Sequence, residues 1–257
     1  MNQGEKNELL FKIYLVYLKE EKNINSPFGK ITSLGFEKKE YGDLKEEIDF
    51  SELEDIDLLK KRSIELGIEK SSPRNKADIF VNNIAYSIKF MNAAPPSIIN
   101  HTTRKGFLRI AKKLNLKISK LDNLIKKYWD LRISNKITED CGNNNEASPF
   151  KDNKEVLRPY LEYFCFSGTG SSDSKNPAEK IIKFTKFDDT KTWKIISKKE
   201  TIDEIWDGLY FCMRDISKGG VKDYENDKEK DVLEPWTRYS TNKYRGALSV
   251  RYKSKWN

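Results

Sequence analysis

Histidine is almost absent, since His101 is the single one in 257 residues. That leaves little material for a Ser/His/Asp hydrolase or a histidine-based metal site. Cysteine is nearly as scarce. Cys141, Cys165 and Cys212 are odd in number, far apart and form no CxxC pair, which argues against a disulfide framework and a zinc ribbon. No run reaches the roughly 18 apolar residues of a membrane span. The first residues carry Glu5 and Glu8 where a secretory signal has positive charge, with no small-residue cleavage site. A cytoplasmic location is expected. Acid–base and metal chemistry, if there is any, falls to carboxylates and lysines.

Aromatics are abundant: 5 Trp, 12 Tyr and 13 Phe are too many for a disordered chain, even at 34% charged residues and a mean hydropathy of −0.76. The length suits one large α/β domain or two small ones. The net charge of +8 is unevenly spread. Residues 37–69 hold twelve acids against six bases, while residues 96–136 hold eleven bases against two acids. The last 22 residues hold six bases and no acid. Basic blocks of this kind fit a polyanionic partner, with a lysine-rich solvated surface as the plain alternative.

Periodicity predicts a helix over residues 5–21, with Leu10, Ile13, Tyr14, Tyr17 and Leu18 on its apolar face. A short strand is expected within the turn-rich 23–42, and a second helix over 51–66, capped by Ser51 with Glu54. Two β-rich runs in 76–91 flank Asn82-Asn83, a pair suited to a tight hairpin. A helix over 107–132 and a boundary loop over 135–153 follow. Beyond that, 160–167 reads as a strand, 168–172 as a flexible loop and 177–184 as a short helix. Residues 193–197 read as a strand, 203–210 as a helix, and 209–214 and 247–252 as strands. The mixture predicts an α/β fold with a mixed β-sheet flanked by helices.

The residues that carry chemistry cluster around the hairpin. Asp78 opens one strand, and Ser87-Ile88-Lys89 lies in the next. Positions i and i+2 of a strand share a face, so Ser87 and Lys89 point together while Ile88 faces the core. An acidic metal ligand beside a lysine suits phosphodiester hydrolysis, where the lysine orients or deprotonates water. A second carboxylate usually shares such a metal, and here its place is held by Ser87. The first helix offers Glu5 and Glu8 on one face; a carboxylate on so apolar a helix is costly to bury unless it binds something. Each piece also has a plain reading, as a turn residue or as a helix-terminal acid favoured by the macrodipole.

Gly4-Glu5-x-x-Glu8, Lys76-x-Asp78-Ile79, Tyr86-Ser87-Ile88-Lys89 and Ala94-Pro95-Pro96-Ser97-x-x-Asn100 resemble type II restriction endonucleases. The likeness is to the PD-(D/E)xK nuclease superfamily, in particular to members with an SxK variant such as the HpaII-like enzymes. It covers residues 1–110 well and the remainder loosely. The resemblance implies a restriction-endonuclease-like core and a Mg²⁺-dependent cut of duplex DNA at a short sequence. It implies Asp78 as metal ligand, Lys89 as catalytic lysine, Glu8 as the helix-borne acid and Glu5 as its support. Ser87 departs from the usual acid. A cognate DNA methyltransferase protecting the same site is implied as well.

DNA contacts are expected from Asn100, His101, Thr102, Thr103, Arg104 and Lys105, a polar loop in which Asn100 suits adenine and Arg104 guanine. Thr102 or Thr103 could equally cap the following helix. Thr169 and Ser171 lie in a glycine-rich loop that lacks the GK[ST] of a P-loop. Arg238, Tyr239, Asn242, Lys243 and Arg245 mix cations with aromatics near the end. The expected division is a nuclease core over 1–140 and a DNA-recognition part over 141–257. A homodimer suits a palindromic site. A structure-specific repair or nicking nuclease and a non-catalytic nucleic-acid-binding protein are the alternatives.

Overall fold

The computed structural model describes residues 1–20, 25–36, 49–68, 71–72, 74–216, 236–240 and 243–253. Helix α1 (Gln3–Glu20) buries nearly every side chain from Leu9 to Val16, the pattern of a helix apolar on all sides and covered on all sides. It lies against the first of two sheets, which has the order β1-β2-β3-β6-β7. In that sheet β1 (Leu34–Gly35), β2 (Ile79–Val81) and β3 (Ile84–Phe90) run antiparallel. Asn82 and Asn83 join β2 to β3 with φ of 51° and 65°, the left-handed pair that a two-residue hairpin needs. Asn82 Oδ1 also accepts from Thr32 N at 2.8 Å, tying the turn to the segment before β1.

A long crossover then leads to β6 (Lys180–Phe184), parallel to β3, and on to β7 (Lys194–Ser197), antiparallel to β6. Along β6, Ile182 and Phe184 join the core around α1 while Ile181 joins the core on the other face. Both faces of the sheet are therefore covered.

The second sheet, β4-β10-β8-β5, is antiparallel and comprises β4 (Ser97–Thr103), β5 (Cys141–Gly142), β8 (Leu209–Asp215) and β10 (Lys243–Tyr252). The short β9 (Arg238–Ser240) pairs with β10. The core around this sheet is shared by α3 (Arg104–Lys113), α4 (Ile118–Ile133), α5 (Lys154–Phe166) and α6 (Lys198–Ile205). Helix α2 (Ile56–Glu65) packs beside α1.

The α/β class with sheet and flanking helices is as expected, but several elements differ. Residues 160–166 belong to helix α5, because Leu157, Tyr160, Leu161 and Phe164 follow helical spacing into the core, despite Pro159 and an aromatic-rich composition. Residues 180–184, expected as helix, form a central strand. The stretch 107–132 is two helices, broken where Asn115 turns left-handed at φ 54°. The polar stretch around residue 141 is no boundary loop: Cys141, Gly142 and Asn143 are buried and pair with the β8 region. Asp55, not Ser51, caps the second helix, accepting from Asp57 N and Leu58 N. Each sheet takes strands from both sides of residue 140, so a split there does not follow the sheets.

Candidate functional site

Strand β2 begins at Ile79, opposite Tyr86, which leaves the Ile88 amide without a β2 partner. The Asp78 side chain fills that gap: Oδ2 accepts from Ile88 N at 2.7 Å and from Ser87 Oγ at 3.1 Å. Lys89 Nζ donates to Ser87 Oγ at 3.0 Å. Ser87 therefore links the carboxylate to the lysine, while Ile88 faces the core around α1. Asp78 Oδ1 has no hydrogen-bond donor among the described residues, and Asp78 lines a cleft of about 190 Å³ together with Lys76, Ser87, Lys89, Pro96 and Cys165. Burial and the neighbouring Glu8 charge push the Asp78 carboxyl up, against the pull of Lys89 and Lys12.

Glu8 stands close by on α1. It lines an adjoining cleft of about 260 Å³ that shares Lys89 and Pro96 with the first. Its Oε1 accepts from Lys12 Nζ at 2.7 Å and from Ser71 N at 3.2 Å. Burial works against its charge, but Lys12 and Ser71 together hold the carboxyl below its ordinary value. Oε2 of Glu8 takes no hydrogen bond from a described residue. Glu5 has a different duty: its carboxylate accepts from Asn2 N at 3.1 Å while Asn2 Oδ1 accepts from Glu5 N at 2.9 Å. That is a capping box at the start of α1.

Among the described residues, no three His, Cys, Asp or Glu are grouped to hold a metal ion. Two carboxylates with one unengaged oxygen each still fit Mg²⁺, a hard cation commonly bound by one or two carboxylates plus substrate phosphate and water. Asp78 and Glu8 are the residues able to hold it.

Two other groups in the first cleft escaped the sequence reading. Lys76, two residues before Asp78, is half-buried, and burial with the nearby Lys89 lowers its pKa. Burial pushes the Cys165 thiol up to about 11, so it is no ready nucleophile.

A larger cleft, about 620 Å³, lies along the same elements. Asn100, His101, Thr102, Thr103 and Lys105, from the end of β4 and the start of α3, form one wall. Thr169, Gly170 and Ser171, from the loop after α5, form the other, and Arg109 joins them. Two segments singled out separately in the sequence thus meet. The stretch 100–105 is the end of a strand and the start of a helix rather than a loop. Thr103 stands at the N-cap without a side-chain cap bond. His101 bends the chain with φ 38°, and its Nδ1 lies 2.6 Å from Asn100 Oδ1. A Cβ on Gly170 would stand 2.5 Å from Thr102 Cγ2, so only glycine lets the loop sit this close.

Arg109 anchors that loop through Thr169 O at 2.6 Å, Gly170 O at 3.2 Å and Asp173 at 2.9 Å. Its only sequence signal was membership of a basic block. Arg104, expected to face guanine, instead gives its guanidinium to Asp122 at 2.9 and 2.8 Å, and Asp122 also accepts from Trp236 Nε1. A fork so engaged is not presented to a base edge.

The C-terminal candidates are mostly occupied too. Arg238 is buried at 7% exposure and donates to Thr237 O. Lys243 pairs with Asp215, and Arg245 with Glu139 and Asp215. Tyr239 is exposed and meets Tyr244 edge-on. Asn242 lies outside the described residues. Compared with protein-family models, with curated proteins and with solved structures, the chain matches none.

Proposed function

We propose that the chain is a Mg²⁺-dependent, sequence-specific endonuclease of duplex DNA, built on a restriction-endonuclease-like core. The observation that carries this reading is the hydrogen-bonded line Asp78–Ser87–Lys89 at the end of β2, with Glu8 across the adjoining cleft. The departure at Ser87 has a role within it. The hydroxyl passes a hydrogen bond from the lysine to the carboxylate, fixing both side chains, and leaves the second acidic position to Glu8.

Mg²⁺ bound by Asp78 and Glu8 would neutralise charge on a phosphate drawn into the cleft. Lys89 Nζ, held by Ser87, is placed to orient water or to stabilise negative charge growing on the phosphoryl oxygens. Ile88 N and Ser87 Oγ hold Asp78 Oδ2, so the other carboxylate oxygen stays turned to the cleft. The 620 Å³ cleft supports base reading next to this centre, with Asn100, His101, Lys105, Thr169 and Ser171 as its polar groups. Strand β4 serves both clefts: Ser97 and Ile98 line the first, and Asn100 to Thr103 the larger one. On this reading a cognate methyltransferase protects host sites, and two copies of the chain match a palindrome.

Incubating the protein with long DNA of mixed sequence and Mg²⁺ tests the proposal. Discrete fragments support it. Nicks or a smear point to a structure-specific nuclease, and retardation without cleavage to a binding protein.

A further inference from the structure

Deeply buried lysines of this protein have a carboxylate partner. Lys12 and Lys183, each 1% exposed, meet Glu8 and Glu204. That is the ordinary rule, since an ammonium taken out of water needs a counter-charge. Lys76 and Lys89 keep some access to solvent and are placed differently. Both are half-buried, both line the 190 Å³ cleft, and neither has a carboxylate within ion-pair distance among the described residues. The one hydrogen bond of the Lys89 ammonium goes to the neutral Ser87 hydroxyl, and the Lys76 ammonium has none among the described residues.

Two like charges lining one small cleft repel each other, and the single carboxylate there, Asp78, has one oxygen engaged by Ser87 and the Ile88 amide and offsets them only in part. The backbone explains why the chain holds Lys76 there. Its amide donates to Asn176 O and Ser174 Oγ at 3.0 Å each, which pins this residue to the segment leading into β6.

We propose that Lys76 is a second phosphate-binding lysine of the site, gripping together with Lys89 the nucleic-acid phosphate that enters this cleft. The inference rests on the nuclease reading for the identity of the polyanion, and it adds a residue that the Asp78–Ser87–Lys89 pattern does not include. Two ammonium groups on one phosphate match its two non-bridging oxygens. With Lys76 in this role, the negative charge that builds on those oxygens during phosphodiester cleavage meets two fixed cations from this chain.

The test uses the full chain with a 30-base-pair duplex of mixed sequence, titrated at several salt concentrations in Ca²⁺, beside single-turnover cleavage of long DNA of mixed sequence in Mg²⁺. Lys76→Gln should reduce the slope of log affinity against log salt by about 0.9, the contribution of one phosphate contact. It should also lower the cleavage rate about 100-fold, the usual effect of removing one oxyanion donor. Lys76→Arg keeps the charge and should keep the slope. Thermal melting of both variants shows whether they are folded. A merely structural lysine would lower the melting temperature and leave the slope unchanged, and that result overturns the proposal. An unchanged cleavage rate in Lys76→Gln overturns it too. If the wild-type chain binds the duplex but cuts no long DNA of mixed sequence, the nuclease reading fails, while the slope of Lys76→Gln still decides for or against Lys76. A wild-type chain that binds no duplex at any salt overturns both.

Discussion

Glu8 has two possible employments, as a metal ligand and as the counter-ion of Lys12, and one pair of substitutions separates them. Lys12 is 1% exposed and its ammonium lies 2.7 Å from Glu8 Oε1 and 3.0 Å from Ser71 Oγ. Glu8→Gln keeps the shape and one acceptor but removes the charge facing a cation buried within the α1 core. Breaking a buried pair by removing one partner costs about 3–5 kcal/mol. Glu8 retains some solvent access and Gln retains a hydrogen bond, so the loss should fall near the low end, about 3 kcal/mol. For a chain of this size that is a drop of about 6–12 °C in melting temperature. Adding Lys12→Met removes the cation that faced Glu8, and replacing a buried pair by apolar groups of similar volume is often neutral or stabilising. The double variant should therefore recover most of the lost stability. Cleavage should not recover with it, because the second acid is still missing. Thermal melts of the single and double variants, with DNA cleavage measured at a temperature where all are folded, give both quantities. A double variant that is stable and cuts like wild type would refute the ligand role and leave Glu8 as a counter-ion only.

Arg104→Ala should destabilise the fold by about 1–3 kcal/mol, since it leaves the half-buried Asp122 with the Trp236 hydrogen bond but without its counter-charge, while leaving discrimination between DNA sequences intact. Melting and binding titrations check the two halves. Arg109→Met should loosen the loop after α5, giving faster proteolysis near residues 168–173 and weaker sequence discrimination, because the carbonyls of Thr169 and Gly170 lose their donor. The Glu204 carboxyl is disfavoured by burial, yet Lys183 and Lys194 hold it below its ordinary value of 4.5. A depressed carboxylate contributes stability that is present above its unfolded pKa and lost as pH falls through the folded one. Acid denaturation followed from pH 6 to pH 2 should therefore show a shallower loss below about pH 4.5 in Glu204→Gln than in wild type.

The sequence made the Asp78–Lys89 hairpin legible because its signals are local. Asn82-Asn83 between two β-rich runs specifies the turn, and the two-residue period of a strand brings Ser87 and Lys89 to one face. The α1 face and the last strand were legible for the same reason. What escaped depends on partners distant in the chain. Arg104 has the look of a base reader until Asp122, 18 residues away, and Trp236 occupy it. Lys76 shows its isolation only against the pairs that Lys12 and Lys183 make. The aromatic run at 160–166 has strand-like composition, but the core around Phe107 and Trp236 selects its helical stripe, and packing overrides propensity. Glu5 and Glu8 look alike in sequence. Both line the 260 Å³ cleft, but Glu5 is taken up in the capping box while Glu8 meets Lys12 and Ser71.

The central claim is that Asp78 and Lys89 form the cutting centre. It is tested most directly by single-turnover cleavage of a DNA fragment in Mg²⁺ by wild type, Asp78→Asn and Lys89→Met, each shown to be folded and to bind the same duplex in Ca²⁺. The account predicts discrete cleavage by wild type and a fall of at least about 100-fold in both variants, with binding retained by Lys89→Met. Cleavage by either variant at near the wild-type rate would contradict it.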